Sequence, residues 1–466
     1  MHYLRVTKTA ALTLGIAMMA LGVAGCGDST NPGTPDSSTD ASVEADAGPP
    51  DVTQEPDVDV PDVTPPTKYN DITNGKLWET FDTTTLSLTA RGYTGIGYDG
   101  RYVYFVPYDT NTRSGVIARY DQTLPFASGA SWATFDLATI DPQAKGFIGS
   151  SFDGKYLYLS PFHDGTDYSG KVARLDTTAN FTAAQSWTFF DATTVNASSK
   201  GFAGSVFDGR YIYFMPYYNG AYDGLVTRYD TKASFTASGS WSTHDVQPQS
   251  ADARGFVSGT FDGRYVYLSP SFAPNAVFTR FDTTGNFTDD NAWTFYPIVG
   301  LDPNAGQYTG AVFDGKYVYY APSGTNSGNA ARFDTTKPFT DNGSWTTFDI
   351  TKVDANAKSY VGVVFDGRYV TFIPSGRAKP HGVVARYDTQ AAFGVNGSWQ
   401  TFDLTTVNIK AIGFYGGGFD GRHIYMAEYW DGVVPNGMVL RFDAKSPPSV
   451  PPSYLPKLTT GIATLF

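Results

Sequence analysis

The chain has 466 residues, of which 15% are aromatic and only 17% are charged, and its formal net charge is −12. This composition fits a β-rich globular protein with a large core and excludes a mainly disordered chain. Most of the negative charge lies within residues 27–66, which leaves a net charge of −4 on residues 67–466. A folded part so close to neutral excludes the broad basic face that nucleic-acid binding needs.

The N-terminus predicts a targeting segment. Arg5 and Lys8 precede an apolar run of 14 residues, 9–22, which is too short to span a bilayer comfortably. The next residues are Val-Ala-Gly-Cys, ending at Cys26. This sequence resembles the lipobox of bacterial lipoproteins, in which small residues precede a cysteine that receives diacylglycerol.

The resemblance implies a signal peptide over residues 1–25, cleavage before Cys26 and a lipid anchor on its thiol. Because Gly27 rather than Asp follows the cysteine, it also implies the outer membrane. Cys26 is the only cysteine of the chain, so it cannot form an internal disulfide. The alternative is an ordinary secretory signal that happens to contain a cysteine.

Residues 26–70 predict a disordered tether behind the lipid anchor. This stretch is rich in Pro, Asp, Ser and Thr and has no apolar periodicity, so it cannot bury enough surface to offset its ordering entropy. Binding of calcium or of a basic partner by its acidic residues is the alternative to a solvated spacer.

An aromatic-Asp-Gly-basic step recurs seven times, each time before a tyrosine-rich segment. The spacing between copies is 52 to 55 residues, and the aspartates are Asp99, Asp153, Asp208, Asp262, Asp314, Asp366 and Asp420. A fixed period of this length indicates one supersecondary unit repeated along the chain. Asp-Gly between two apolar runs also predicts a short hairpin.

Each copy predicts four strands: a glycine-rich segment, the tyrosine-rich segment, an Arg-x-Asp segment and a segment that begins at a tryptophan. The fold class is therefore all-β, a seven-bladed β-propeller over residues 71–446 with four antiparallel strands per blade. Residues 447–466 form a Pro-rich C-terminal tail. A strand around Trp78 precedes the first blade and nothing similar follows Arg441, so we expect this N-terminal strand to close the last blade.

Most repeated residues are predicted to be scaffold. The tryptophans should pack between blades, and a glycine four residues before each turn, replaced by Ser258 in one copy, should let the inner strands crowd together. Five copies also place a cation nine residues after an aspartate, as in Asp82 with Arg91 and Asp191 with Lys200. Five such cations could bind an anion, but the fifth copy lacks both residues, which favours five ion pairs.

The variable loops between the second and third strands are the candidate binding surface, because a unique site must break the symmetry of the repeat. Their candidate binding residues are Tyr108, His163, Tyr217, Tyr218, Tyr222, Phe272, Glu428, Tyr429 and Trp430. Exposed aromatic side chains beside Asp and Asn suit stacking on sugar rings or a protein interface. Aromatic loops are also common in any tyrosine-rich propeller, so this surface remains a hypothesis.

The sequence favours a cell-envelope-anchored binding module, either lectin-like or protein-docking, over an enzyme. No catalytic residue, metal ligand set or cofactor site is predicted, because the inner strands carry no acid–base constellation. The alternative is a polysaccharide hydrolase or lyase that uses Glu428, His423 and His163. The expected partners are the membrane through Cys26 and glycans or envelope proteins, without nucleic acid, and the expected state is a monomer.

Overall fold

The computed structural model describes residues 66–271, 277–297, 299, 306–324, 327–375 and 379–454. Seven four-stranded antiparallel sheets confirm the predicted seven-bladed propeller. The predicted signal peptide, Cys26, most of the tether and residues 455–466 lie outside the described residues. No helix within the described ranges is long and apolar enough to cross a membrane.

Six blades follow one another along the chain, each running from an innermost to an outermost strand. Blade 1 comprises β3 (Tyr93–Tyr98), β4 (Tyr102–Pro107), β5 (Val116–Asp121) and β6 (Trp132–Asp136). Blade 2 comprises β7 (Phe147–Phe152), β8 (Tyr156–Pro161), β9 (Lys171–Asp176) and β10 (Trp187–Asp191). Blade 3 comprises β11 (Phe202–Phe207), β12 (Tyr211–Pro216), β13 (Leu225–Asp230) and β14 (Trp241–Asp245). Blade 4 comprises β15 (Phe256–Phe261), β16 (Tyr265–Pro270), β17 (Val277–Asp282) and β18 (Trp293–Pro297). Blade 5 comprises β19 (Tyr308–Phe313), β20 (Tyr317–Pro322), β21 (Asn329–Asp334) and β22 (Trp345–Asp349). Blade 6 comprises β23 (Tyr360–Phe365), β24 (Tyr369–Pro374), β25 (Val383–Asp388) and β26 (Trp399–Asp403).

Blade 7 joins the two ends of the chain, as predicted. Its strands from the axis outward are β27 (Phe414–Phe419), β28 (His423–Glu428), β29 (Met438–Asp443) and the N-terminal β2 (Trp78–Asp82). A separate two-stranded sheet pairs β1 (Lys68–Tyr69) with β30 (Lys445–Ser446). Pro452–Tyr454 adds a buried contact, because the Tyr454 hydroxyl accepts a hydrogen bond from the Phe365 N–H at 2.9 Å. The propeller therefore uses residues on both sides of the predicted 71–446 range.

Short 3₁₀ turns connect the strands. Their bounds are Gly75–Leu77, Thr83–Thr85, Gly129–Ser131, Leu137–Thr139, Ala184–Ser186, Ala192–Thr194, Ser238–Ser240, Asp290–Ala292, Asn342–Ser344, Ile350–Lys352, Asn396–Ser398, Leu404–Thr406 and Pro452–Tyr454. The antiparallel register places all Asp-Gly turns on one face of the ring, which we call the turn face. The loops after the second strands and the loops that enter the inner strands share the opposite face, which we call the loop face.

The repeated tryptophans pack between blades, which confirms their predicted role. Each indole faces the ring that stands three residues after the tryptophan of the preceding blade. These inter-blade pairs are Phe81–Trp132, Phe135–Trp187, Phe190–Trp241, His244–Trp293, Tyr296–Trp345, Phe348–Trp399 and Phe402–Trp78, with centroids 4.5–6.3 Å apart. Each indole N–H also donates to a backbone carbonyl six residues earlier, so burial leaves its polar atom satisfied.

The inner strands lie so close together that the predicted small residue is needed. A Cβ added to Gly95 would lie 2.5 Å from the Ile148 carbonyl oxygen of the next blade. A Cβ on Gly310 would lie 2.9 Å from the Val363 nitrogen. Ser258 fits because its hydroxyl donates a hydrogen bond to the Thr309 carbonyl of the neighbouring inner strand.

In six of the seven blades, the aspartate of the Asp-Gly turn holds its hairpin through three acceptor contacts. In blade 3, one oxygen of Asp208 accepts the N–H groups of Arg210 and Tyr211, and the other accepts the Tyr213 hydroxyl at 2.8 Å. The same hydroxyl contact recurs in six blades and fails in blade 6, where threonine replaces the tyrosine. There Asp366 Oδ2 and Thr371 Oγ1 are both buried without a hydrogen-bond partner among the described residues.

The predicted ion pairs between the outer-strand aspartates and the inner-strand cations are wrong. Asp82 and Asp191 instead accept the backbone N–H two residues further on and cap the 3₁₀ turns that follow. Arg91 donates to the Thr110 carbonyl, and Lys200 pairs with Asp167 at 3.1 Å. These cations therefore tie neighbouring loops of the loop face together.

The unequal turns of blades 3 and 6 give a paired stability prediction. Tyr213→Phe should lower the free energy of unfolding by about 1–2 kcal/mol, because it leaves Asp208 Oδ2 buried without its partner. Thr371→Val should leave stability unchanged or raise it by up to about 1 kcal/mol, because it removes a buried hydroxyl that has no partner. Urea denaturation of the two variants measures the difference, and an equal loss in both would contradict this account of the turn.

Candidate functional site

One position on the loop face divides the ring into two unlike parts. It is the first residue after the second strand, and around the blades it reads Tyr108, Phe162, Tyr217, Ser271, Ser323, Ser375 and Tyr429. The four consecutive blades 7, 1, 2 and 3 carry aromatic rings, whereas blades 4, 5 and 6 carry serine. We call Tyr429, Tyr108, Phe162 and Tyr217 the aromatic arc.

The aromatic arc is a continuous row of rings. Centroids are 5.8 Å apart between Tyr429 and Tyr108, 6.1 Å between Tyr108 and Phe162, and 5.7 Å between Phe162 and Tyr217. The planes are tilted by 38–52°, so the arc forms a curved wall and not a flat platform. All four side chains are half-buried, which leaves part of each ring accessible from the loop face.

A cavity of about 320 Å³ opens beside the aromatic arc. The inner strands supply its deeper part through Thr94, Ile148 and Tyr415, which belong to three neighbouring blades. Its complete lining is Thr94, Tyr108, Ile148, Phe162, Tyr217, Ser375, Pro380, Gly413, Tyr415, Tyr429 and Trp430. No charged side chain is part of this lining, so polar contacts inside the cavity come from hydroxyl, indole and backbone groups.

Burial keeps the Tyr429 and Tyr108 phenols of the arc neutral. It raises the pKa of Tyr429 to about 12, with a smaller contribution from the Asp109 carboxylate. It also raises the pKa of Tyr108 well above its usual range, although the nearby Arg113 acts in the opposite direction. The Arg113 guanidinium lies 4.2 Å from the Tyr108 ring centroid and is paired with Asp109, so it packs against a ring of the arc as an already neutralised cation.

The structure brings only some of the predicted binding residues to the cavity. Tyr108, Tyr217, Tyr429 and Trp430 line it. Phe272 lies outside the described residues.

Three other predicted residues stay in the loops. Tyr218 and Tyr222 pack edge to face with centroids 5.2 Å apart. The His163 ring lies against Tyr168, and its Nδ1 accepts the Gly165 N–H at 3.0 Å. None of the three is part of the cavity lining.

Glu428 is a buried acid and not an exposed binding group. It takes the place of the recurring proline at the end of β28 and is fully buried. Asn436 donates to Glu428 Oε1 at 3.2 Å, whereas Oε2 has no partner among the described residues. Burial raises the pKa of Glu428 to about 9, and the Asp431 carboxylate adds to the rise. The side chain is therefore protonated at neutral pH.

The acid–base cluster of the hydrolase alternative is not assembled. His423 and Glu428 stand at opposite ends of β28, with His423 on the turn face beside Asp420 at 3.1 Å. Neither of them lines the cavity, and neither does His163 on blade 2. Within the described ranges, no group of three or more His, Cys, Asp or Glu side chains is arranged to hold a metal ion.

Sequence reasoning missed Phe162 and the non-aromatic half of the cavity. The signal for Phe162 was present, because alignment of the seven copies on the recurring proline places it beside Tyr108 and Tyr217. Pro380 and Gly413 gave no signal, since neither is aromatic and each comes from a different loop. Tyr415 stood out only as the one aromatic residue inside the inner-strand sequences.

No protein-family model matches the sequence, and no curated protein matches it significantly. The fold is similar to that of the Neurospora crassa Pan2 WD40 domain, with a TM-score of 0.50, 9% identity and coverage of 80% of this chain and 97% of that domain. Kuenenia stuttgartiensis hydrazine synthase matches with a TM-score of 0.47, 13% identity and coverage of 75% and 96%. PorZ, a surface component of the type-IX secretion system of Porphyromonas gingivalis, matches with a TM-score of 0.46, 12% identity and coverage of 83% and 39%. At this identity the first match shows the propeller fold alone, in agreement with the seven four-stranded sheets.

The buried acid gives a pH prediction. Between about pH 4.5 and pH 9 the native state holds a proton on Glu428 that the unfolded chain has lost, so this group lowers stability as pH rises. Glu428→Gln keeps the bond to Asn436 and removes the titration. Its advantage in unfolding free energy over the wild type should grow with pH, by at most about 1.4 kcal/mol per pH unit. Urea denaturation at pH 5 and pH 8 measures it, and a constant difference would show that Glu428 is ionised in the native state.

Proposed function

We propose that this protein is an envelope-anchored docking module whose loop-face cavity binds an apolar side chain of a partner protein. The observation that carries the proposal is a concave site walled by four aromatic rings and lined by no charged side chain. Its volume of about 320 Å³ lies at the lower end of small-ligand pockets, so it has room for one bulky side chain. Deep aromatic pockets of this kind anchor the few side chains that dominate protein interfaces.

The same lining favours a protein side chain over a sugar. A bound sugar ring carries several hydroxyl groups, and each must regain the hydrogen bonds that it loses on leaving water. The cavity offers the hydroxyls of Thr94, Ser375, Tyr415 and the three arc tyrosines and the Trp430 indole N–H, but no carboxylate or amide side chain. Its tilted rings also form a curved wall and not one continuous flat platform. A lectin-like role is therefore the second candidate, supported by the aromatic rings alone.

The hydrolase or lyase alternative has less support. Such an enzyme needs two positioned acid–base groups at the scissile bond. The titratable side chains of the cavity lining are tyrosines, and burial raises the pKa values of Tyr108 and Tyr429. Binding without chemistry is the simpler account of this site.

We propose the envelope location from the N-terminal sequence alone. The lipobox-like residues before Cys26 support lipid anchoring, and Gly27 supports the outer membrane. Residues 27–66 carry no Lys or Arg, and we propose that they serve as the spacer between the anchor and the propeller. The outermost strand of each blade is only five residues long, so the open edges of the ring are short, which supports a monomer.

The binding proposal predicts a ligand preference that a Tyr108→Ala variant should lose. Saturation-transfer NMR on the full-length protein should show contact with the N-acetyl amides of phenylalanine and leucine, and little with methyl glucoside or methyl N-acetylglucosaminide. Removing the Tyr108 ring opens the wall and should weaken binding about tenfold. Tyr156→Ala, which removes a half-buried tyrosine from the turn face, is the matched control and should bind normally. Saturable binding of the glycosides alone would replace this proposal with the lectin.

The anchoring proposal predicts that Cys26 carries acyl chains. Cells grown with an alkyne-tagged fatty acid should label the wild type, whereas Cys26→Ser should lose the label and leave the membrane fraction, because the acyl chains supply most of the membrane affinity. Labelling that persists in Cys26→Ser would contradict lipidation at this residue.

A further inference from the structure

The loop face of blade 7 carries aliphatic side chains that stand free in solvent. Leu88 is 81% exposed in the loop that leaves β2, Ile409 is 80% exposed in the loop that enters β27, and Val433 is 76% exposed in the loop after β28. Val434 is a further exposed side chain in that last loop. We call these four residues the blade 7 patch.

The repeat itself shows that the patch is a departure from the scaffold. At the position of Leu88 and Ile409, the other entry loops carry only Ala or Pro, as Pro142, Ala197, Ala251, Pro303 and Ala355 show. Ile412 also replaces the cation that five other entry loops carry. Elsewhere within the described ranges, large exposed apolar side chains occur singly, at Leu124, Val299 and Val395. Exposed single residues need no explanation, whereas several on neighbouring loops of one blade form a candidate interaction surface.

The three loops of the patch are neighbours, and they reach the cavity. The backbone N–H of Trp430 donates to the Gly413 carbonyl at 3.2 Å. This bond joins the loop after β28 to the loop that carries Ile409. Gly92 N–H donates to the Asn436 carbonyl at 2.8 Å, which joins the same loop to the one that carries Leu88. Trp430 and Gly413 also line the cavity. The patch and the cavity are therefore parts of one surface.

We propose that the blade 7 patch docks the stretch of the partner protein that flanks the side chain held in the cavity. The inference rests on the proposed docking function and names the kind of partner: an extended segment with one bulky apolar anchor and further apolar residues a few positions away. The anchor enters beside the aromatic arc, and the flanking residues cover Leu88, Ile409 and Val433.

The size of the patch favours such a segment over a second copy of this chain. Four aliphatic side chains expose at most a few hundred Å². A stable protein–protein interface buries about 800 Å² on each partner, so the patch alone does not hold a dimer. Combined with a side chain in the cavity, the same area suits a short peptide-like segment.

Two observations favour a protein partner over a lipid surface. The Asp431 side chain accepts the N–H groups of Val433 and Val434, which places a carboxylate at the tip of the patch, where an anionic membrane would repel it. The second observation concerns β1, where the chain enters the propeller. It pairs with β30 beside the Asp-Gly turns, on the face opposite the blade 7 patch. The Lys445 ammonium there donates to the Asp366 carbonyl within such a turn.

The test uses the full-length protein and a displayed library of random 12-residue peptides. Selected peptides should contain one Phe, Tyr, Trp or Leu anchor with apolar residues within about five positions. The double variant Leu88→Ala, Ile409→Ala has residues that the repeat itself uses, so it should fold normally. It should bind these peptides about tenfold more weakly, while its affinity for N-acetyl-phenylalaninamide stays unchanged. Leu124→Ala with Val395→Ala is the matched control and should bind as the wild type does.

Each other outcome overturns the inference. If no peptide is selected and the amide does not bind, the docking function itself fails. If peptides bind through the cavity but tolerate Leu88→Ala, Ile409→Ala, the docking function stands and the patch has no part in it. If the double variant instead loses binding to phosphatidylglycerol vesicles, or loses concentration-dependent self-association, the patch serves a membrane or a second copy.

Discussion

The stacking of each repeated tryptophan on a ring of the preceding blade is the interaction on which the structure depends. A single four-stranded blade cannot bury its two apolar faces, so each blade needs a neighbour on both sides. Seven such contacts satisfy every blade only when the ring is closed. Phe402 on Trp78 and Phe81 on Trp132 complete the circuit through the N-terminal strand. This explains why the first strand of the propeller is held in the last blade.

The repeat made most of the fold predictable, because strand pairing and turns follow from alternation and from Asp-Gly at a fixed period. The partners of individual charges were not predictable. Asp82 and Arg91 have a repeated spacing, but the nearest donor to an aspartate at a strand end is the backbone N–H two residues on, and this local contact prevails. Similarly, the repeat showed Thr371 as an exception but could not show that it leaves Asp366 buried with a raised pKa of about 6, chiefly through burial.

The candidate site follows from the places where the seven copies differ. Loop composition was enough to predict Tyr108 and Trp430, whereas Phe162 required the aligned position after the proline. Sequence also singled out Glu428 as asymmetric, yet only the fold shows that it is buried next to Asn436. A binding site formed by one loop position in several blades costs little folding stability. The ring already holds that position rigidly, and a change of side chain there does not disturb the tryptophan stacks. This is why both the aromatic arc and the blade 7 patch can differ between blades while the scaffold stays constant.

The proposed function requires that a ligand binds at the unique residues of the loop face and leaves the repeated scaffold unchanged. The chain has eight tryptophans, seven of them in the inter-blade stacks, and the eighth, Trp430, lines the cavity. Fluorine NMR of the protein labelled with 5-fluorotryptophan, with Trp430→Phe to assign its signal, therefore distinguishes the cavity from the scaffold. Titration with N-acetyl-phenylalaninamide should shift the Trp430 resonance and leave the seven others in place. Shifts among the seven with an unmoved Trp430 resonance would contradict the account.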